Sequence, residues 1–309
     1  MALTLAQSAL LSQDHLLAGV FETVIDEDPV LFSLMQWLAI QGNSLAYNRE
    51  NALATVADFA VGDVWTEGIG TVSQVTTALT VIGGDADVDQ FLQTTRSSIN
   101  DQKAIAIASK AKALARGLSD RFVYGNTAVA NQMAGLHQLM PTAQKIHQGA
   151  GAIGAALSLA NLDVLCDTVR PRPDILMMPR AIRRRLSAYG RGSATSLIET
   201  REAFGRQQRF FNDIPIAVSD FMVMTETIAA GDFTAKTGGA TGSIIALRFG
   251  EDAAVMVHGG GSPIIVEDVG TLETKDATRT RIKAYAALAL LSTLAVARID
   301  GITDVAVVA

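Results

Sequence analysis

The chain has 309 residues, enough for one large core or two modest lobes and too few for many independent domains. Apolar residues make up 49% of it, charged residues 18%, and the net charge is -6. With a mean hydropathy of +0.27, this is an apolar chain for a soluble protein, which points to surface covered by other subunits. It lacks the positive balance of a tight nucleic-acid binder.

The uncharged stretches Met1 to Gln13, Gly149 to Leu162 and Ala284 to Ala297 are short or broken by Gln, Asn, Ser or Thr, so no membrane span of about 20 apolar residues is expected. Asp14 is the first charged residue, and without a basic region or a small-residue cleavage site no secretory signal is expected, which keeps the protein in the cytoplasm where it is made. Cys166 is the single cysteine. That excludes an intramolecular disulfide and a multi-cysteine zinc site, and its apolar helical setting predicts burial.

Residues 1–43 read as an arm. A helical pattern through Leu3, Leu10, Leu17, Val20 and Phe21 meets an acidic break at Asp26, Glu27, Asp28 and Pro29, and apolar character resumes from Leu31 to Ile40. Leu31, Phe32, Leu34, Met35, Trp37 and Leu38 are candidates for an amphipathic anchor, seated on the subunit itself or on a neighbour.

Residues 44–84 turn to Thr, Val, Asn and Gly. Strand-period alternation over Thr71 to Ile82, around the segment Gly62 to Gly70, predicts a long β-hairpin closed by Gly83-Gly84. Phe59, Val61 and Trp65 are candidate inter-subunit contacts, because a solvated hairpin seldom carries tryptophan beside valine and phenylalanine; a local cluster holding the hairpin together is the competing explanation.

Residues 85–125 predict a long helix. Asp85, Asp87 and Asp89 crowd its expected N-terminus, where carboxylates oppose the positive end of the helix dipole. Leu92, Ile99, Ala106 and Ala113 recur seven apart, Ala111, Leu114, Leu118 and Phe122 extend the apolar face, and Lys110, Lys112, Arg116 and Arg121 gather toward the end. At 1.5 Å per residue the helix would be about 45 Å long, ending at Gly125.

Residues 126–278 predict a mixed α/β lobe, with helical patterns over Gly154 to Val169 and Pro179 to Tyr189 and strands over Ile175 to Met178 and Ile214 to Val218. Further strands are expected at Ser243 to Phe249, Ala253 to His258 and Ile264 to Asp268, the last two joined by a turn at Gly259 to Pro263 and expected to pair antiparallel. Arg180, Arg183, Arg184, Arg185 and Arg191 decorate one predicted helix. This candidate basic interface faces solvent or acidic neighbours such as Glu22 and Asp26 to Asp28, in preference to DNA phosphates.

Residues 279–309 open with Arg279, Arg281 and Lys283 alternating with Thr280 and Ile282 and continue into apolar Tyr285 to Ile299, a strand expected to return beside the long helix. No internal repeat, low-complexity tract or Pro-rich linker interrupts the chain.

Catalytic signatures are weak. Gly149 to Gly154 matches GxGxxG ahead of a helical pattern, but the preceding Pro141 to Gln148 is polar and Asp174, about twenty residues on, precedes a strand instead of ending one, so a turn is the preferred reading. His258-Gly259-Gly260-Gly261 imitates an oxyanion loop without any GxSxG elbow. His15, His137, His147 and His258 show no close-paired ligand spacing. No catalytic, cofactor or metal residues are assigned.

Several strings in this order resemble the major capsid proteins of tailed bacteriophages that share the fold of phage Hong Kong 97. SLAYNRENALATVADFAVGDVWTEGIGTVSQVTTALTVIGGDADVDQFL, residues 44–92, resembles that family's extended loop running into its spine helix. MAGLHQLM (133–140) is similar to the Gly-Leu motif after that helix, and ILMMPRAIRRRLSAYGR (175–191) to a strand and helix of the family. EAFGRQQRFFNDIPIAVSD (202–220) resembles its Phe-Gly and Pro-Ile strand signature, and IKAYAALALLSTLAVARIDGI (282–302) its closing peripheral strand.

The resemblance implies an α+β fold: N-terminal arm 1–43, extended β-hairpin loop 44–84, spine helix in a peripheral domain 85–125, a mainly axial domain 126–278, and a return strand 279–309. It implies a non-enzymatic shell subunit forming hexamers and pentamers of an icosahedral head around double-stranded DNA. Its partners would be copies of itself, a portal, a separate scaffolding protein and packaged DNA in weak non-specific contact, with no membrane. Its place would be the virion, after assembly in the host cytoplasm.

Some members of the family crosslink a loop Lys to a neighbour's Asn, but this chain has no Lys before Lys103, so no such crosslink is expected. No charged helical region precedes the arm, so no fused scaffolding domain is expected either. An encapsulin shell of the same fold is the nearest alternative, and a nucleotide-binding oxidoreductase built on Gly149 to Gly154 the alternative from another class.

Overall fold

The computed structural model describes residues 31–32, 34–91, 94, 102–149, 151, 153–192, 199–203, 206–229 and 232–308. The arm pattern through Leu3 to Phe21, the acidic residues Glu22 and Asp26 to Asp28, His15, Leu92, Ile99, and the Phe204-Gly205 pair lie outside those residues. The described residues fall into two compact units, one taking Gly84–Ala113 and Val266–Ile282 and the other the remainder.

In the larger unit a seven-stranded mixed sheet runs in the order β5-β16-β12-β6-β9-β8-β7. Its strands are β5 (Lys145–His147), β6 (Ile175–Met178), β7 (Glu199–Ala203), β8 (Arg206–Phe211), β9 (Ile214–Val218), β12 (Thr241–Leu247) and β16 (Val296–Thr303). Strands β6 and β12 are buried along their whole length, and the side-chain period of two divides them between two layers.

Ile175, Met177, Ile245 and Leu247 face a core built with Leu118, Phe122, Val123, Met133 and Leu136. Leu176, Met178, Ile244 and Ala246 face a second core with Leu162 and Leu165 of helix α2 (Leu159–Thr168) and Ile182 and Leu186 of helix α3 (Arg180–Gly192). Cover on both faces explains why Ile175 to Met178 reads as a continuous apolar run instead of alternating.

A second sheet has the order β1-β13-β15-β14, with β4 also on β15; these are β1 (Trp37–Ile40), β13 (Ala254–Gly259), β15 (Ala277–Leu290), β14 (Ile265–Thr271) and β4 (Thr80–Asp89). The turn after β13 does not close the antiparallel hairpin with β14 that the sequence predicts. Both strands pair with β15 instead, because β15, fourteen residues long, offers enough edge for each. The segment 279–309 likewise is not one return strand: β15 belongs to this sheet and β16 to the seven-stranded one.

Helix α1 (Gln102–Tyr124) has 23 residues, about 35 Å at 1.5 Å each. It stops where Gly125 meets Gly135: Gly135 N–H donates to the Gly125 carbonyl at 2.9 Å, and a side chain on either glycine would strike backbone. That contact is the physical content of the Met133 to Met140 motif.

The carboxylates expected at a helix start are on a strand. Strand β4 continues through Gly83-Gly84 to Asp89, with Ala86 and Val88 buried on one face and Asp85 and Asp87 on the other. Arg279 grips Asp87 through two bonds of 2.7 Å, Lys275 reaches the same carboxyl at 2.7 Å, and Arg281 grips Asp85 at 2.8 and 3.0 Å. The charges that resembled helix-dipole partners are cross-strand ion pairs.

Candidate functional site

Strands β2 (Ser44–Ala52) and β3 (Thr71–Ala78) pair antiparallel from Ser44↔Ala78 to Ala52↔Thr71, with a bulge before Ala52. No residue from Ser44 to Asp85 is buried. A two-stranded ribbon with no second layer is marginal by itself, so its footing matters. Tyr47 Oη donates to the Leu290 carbonyl at 2.8 Å, and Arg49 donates from Nη2 to Leu290 O at 2.5 Å and from Nε to Leu291 O at 3.3 Å. Leu45 and Tyr47 rest against Val255, Val257 and Ala289 on the outer face of the second sheet.

The tip is built at Asp63, whose carboxylate accepts the Ala60 N–H at 2.7 Å while its own N–H donates to the Ala60 carbonyl at 3.2 Å. Phe59 and Trp65 stack across this turn with centroids 4.5 Å apart. The local cluster weighed from the sequence therefore exists, yet it covers little: Trp65 is 77% and Val61 fully exposed. Leu53, Val56, Val64 and Ile69, not singled out from the sequence, are also more than three-quarters exposed. The signal for them was present, since apolar residues recur through a stretch with no room for a core, but no periodicity marks an apolar surface on irregular chain.

The arm candidates divide. Leu31 and Met35, four apart, are buried in the core with Leu118 and Phe122. Trp37 is partly buried and donates from Nε1 to the Leu31 carbonyl at 3.3 Å, while Phe32, Leu34 and Leu38 are exposed. The arm's end thus packs on its own subunit through one face and presents the other.

On α3, Arg180 pairs with Asp220, and Arg184 and Arg185 converge on Asp304 at 2.8 and 2.7 Å. These three guanidiniums are engaged by carboxylates of the same chain. Arg191 is exposed, and burial lowers the pKa of Arg183.

The Gly149 to Gly154 segment does not open a helix: α2 begins at Leu159. Ala155 N–H donates to the Gly301 carbonyl at 2.9 Å, and Gly154, at φ +70°, leaves no space for a side chain against Gly301. Gly154 lets the chain run close along β16. His258 is buried and lies 6.1 Å from the Trp37 ring, and Gly259 ends β13. Burial pushes the Cys166 thiol up to about 12, which leaves it without thiolate character near neutral pH. No helix among the described residues is long and apolar enough to cross a membrane.

No family model matches this sequence, and no curated protein matches it. Solved structures do. The chain is similar to one from the holo-SrpI encapsulin complex of Synechococcus elongatus PCC 7942, at 15% identity and a TM-score of 0.73, covering 100% of this chain and 99% of that one. It is similar to the capsid of the native GTA particle at 12% identity and 0.68, covering 98% and 100%. It is also similar to the capsid of Myoviridae phage XM1 at 15% identity and 0.65, covering 97% and 99%.

The chain has the Hong Kong 97-like capsid fold. The matches cover nearly all of this chain and of each of those chains. The proteins it resembles in fold are shell proteins, of phage capsids and of an encapsulin. Identity this low carries the backbone path and not the side chains.

Proposed function

We propose that this protein is the major capsid protein of a tailed bacteriophage, assembling through hexamers and pentamers into an icosahedral head around double-stranded DNA. One observation carries the reading: a chain with a shell-protein fold over its whole length presents an unburied hairpin whose tip concentrates six exposed apolar side chains, Leu53, Val56, Val61, Val64, Trp65 and Ile69. A monomer gains nothing from that arrangement, whereas a neighbour laid under the tip removes about 25 cal/mol of unfavourable hydration for each Å² covered. Closure of a shell repeats the contact, so modest interfaces become collectively strong.

The exposed side of the arm, Phe32, Leu34 and Leu38, is a second surface for a neighbour. A separate scaffolding protein and a portal complete the assembly, the finished shell resides in the virion, and DNA contacts are weak and non-specific, a reading that the net charge of -6 supports. The likeness to the encapsulin complex supports a second reading, a compartment shell enclosing protein cargo.

Electron microscopy of the purified protein tests both. Closed particles with hexameric facets are expected, with a DNA-bearing, portal-containing head for the phage reading and small particles enclosing protein for the encapsulin reading. Only small discrete oligomers, with scaffold supplied, would overturn the shell function.

A further inference from the structure

Inside the larger unit lies a buried polar cluster that shell assembly does not account for. Glu226, just before β10 (Thr227–Ala229), has no exposed surface. Its Oε1 accepts from Tyr124 Oη at the end of α1 (2.5 Å) and from Ser243 Oγ of β12 (2.9 Å), while Oε2 is buried without a hydrogen-bond partner. Tyr124 Oη also accepts the Val223 N–H at 3.1 Å. One residue thereby joins the end of α1 to the chain leading into β10.

His137 places Nε2 3.7 Å from Glu226, its ring 5.0 Å from Tyr124 and 4.2 Å from Phe233. Arg298 of β16, fully buried, donates from Nη1 to His137 Nδ1 (2.5 Å) and from Nη2 to Asp232 (2.6 Å) and Asp300 (2.7 Å). From β5, Lys145 reaches Asp232 at 2.6 Å and His147 meets Asp300 at 2.6 Å. Asp232 and Phe233 sit on β11 (Asp232–Ala235), the partner of β10. Lys236 pairs with Asp120 beside the Tyr124 ring.

Three carboxylates, Glu226, Asp232 and Asp300, thus face two permanent cations, Arg298 and Lys145, while Asp120 and Lys236 offset each other. His137 does not supply the missing charge, because its Nδ1 already accepts from a guanidinium and a proton there would meet another N–H; burial holds its pKa well below the usual value. His147 Nδ1 contacts Asp300 and not Glu226.

We propose that Glu226 is a proton-controlled latch: protonated, it completes a neutral cluster that holds the β10–β11 hairpin to the end of α1 and to β12, and ionised, it loosens that hairpin. Burial pushes the Glu226 carboxyl up to about 7 from 4.5. Between those values the folded chain holds a proton that the unfolded chain has released. Stability conferred by this group is therefore full below the unfolded value and falls as pH rises toward 7, by up to about tenfold in the folding equilibrium per pH unit, then levels off.

The test is the thermal midpoint of the full-length protein from about pH 5 to about pH 8, unmodified and as Glu226→Gln, which keeps an acceptor for Tyr124 and Ser243 and cannot ionise. The midpoint of the unmodified protein should fall relative to E226Q up to about pH 7 and run parallel above it, with hydrogen exchange across 223–241, corrected for intrinsic rates, increasing with pH only in the unmodified protein. Profiles that run parallel throughout would overturn the latch. Infrared spectra of unmodified protein isotope-labelled at its glutamate carboxyls give a reading independent of the variant's folding. A protonated band at about pH 6 that is lost by about pH 8 supports the latch, and full ionisation at about pH 6 refutes it.

Discussion

Trp65→Ala should separate assembly from folding. An aromatic side chain covers about 150–250 Å² when buried. Trp65 is 77% exposed in the subunit, so a neighbour could cover about three-quarters of that area, worth about 3–5 kcal/mol at about 25 cal/mol per Å². At about 1.4 kcal/mol per decade the association at that contact weakens by about 100- to 4,000-fold. Within the subunit the substitution removes the stack on Phe59 from a side chain that is 77% exposed, so the unfolding free energy should change by less than about 1 kcal/mol. Light scattering and sedimentation velocity over a concentration series report the first quantity, and denaturant unfolding of unassembled subunits the second. Shells forming at the unmodified protein's threshold concentration, or a strongly destabilised subunit, would refute the assignment of the tip to an interface.

Phe122→Ala opens a void where α1 meets the seven-stranded sheet and should cost about 3–5 kcal/mol in denaturant unfolding. Arg298→Met leaves buried Asp300 without its guanidinium; a loss of about 3–5 kcal/mol is expected by the same measurement. Arg279, then Lys275, hold the Asp87 carboxyl well below its ordinary range, so its contribution is present above the unfolded value of about 3.9 and is lost as pH falls further. The stability difference between unmodified protein and Asp87→Asn, followed in acid titrations by circular dichroism, should therefore shrink below about pH 4. Exposure of these groups makes that difference salt-sensitive.

Much of the architecture was legible because local patterns and tertiary demands agreed. The apolar run at Ile175 to Met178 and the one at Ile214 to Val218 are strands at those residues, and alternation over Thr71 to Ile82 marked the hairpin that β2 and β3 form. At the candidate site, Trp65 and Phe59 were legible by residue type alone. Four further tip residues were not, nor was the footing of the hairpin through Tyr47 and Arg49, which rests on carbonyls more than 240 positions away. Arg298 and Asp300 did carry a signal, two charges within the apolar C-terminal stretch, but Glu226 looks like any surface glutamate.

Asp85, Asp87 and Asp89 mark the boundary between the two sources of information. Acidic residues spaced by two suit a helix N-terminus and a strand face equally well by local energetics. The choice fell to Arg279, 192 positions away, because a two-pronged cross-strand pair outweighs the few tenths of a kcal/mol that a helix dipole offers at an exposed end. The sequence by itself determined where chain becomes strand or helix wherever burial is periodic, and which residue types have no soluble reason to be exposed. Tertiary structure alone decided which strands share β15, which carboxylates are buried, and which apolar residues are left for a neighbour. Those outcomes depend on contacts between distant residues, and local periodicity carries no trace of them.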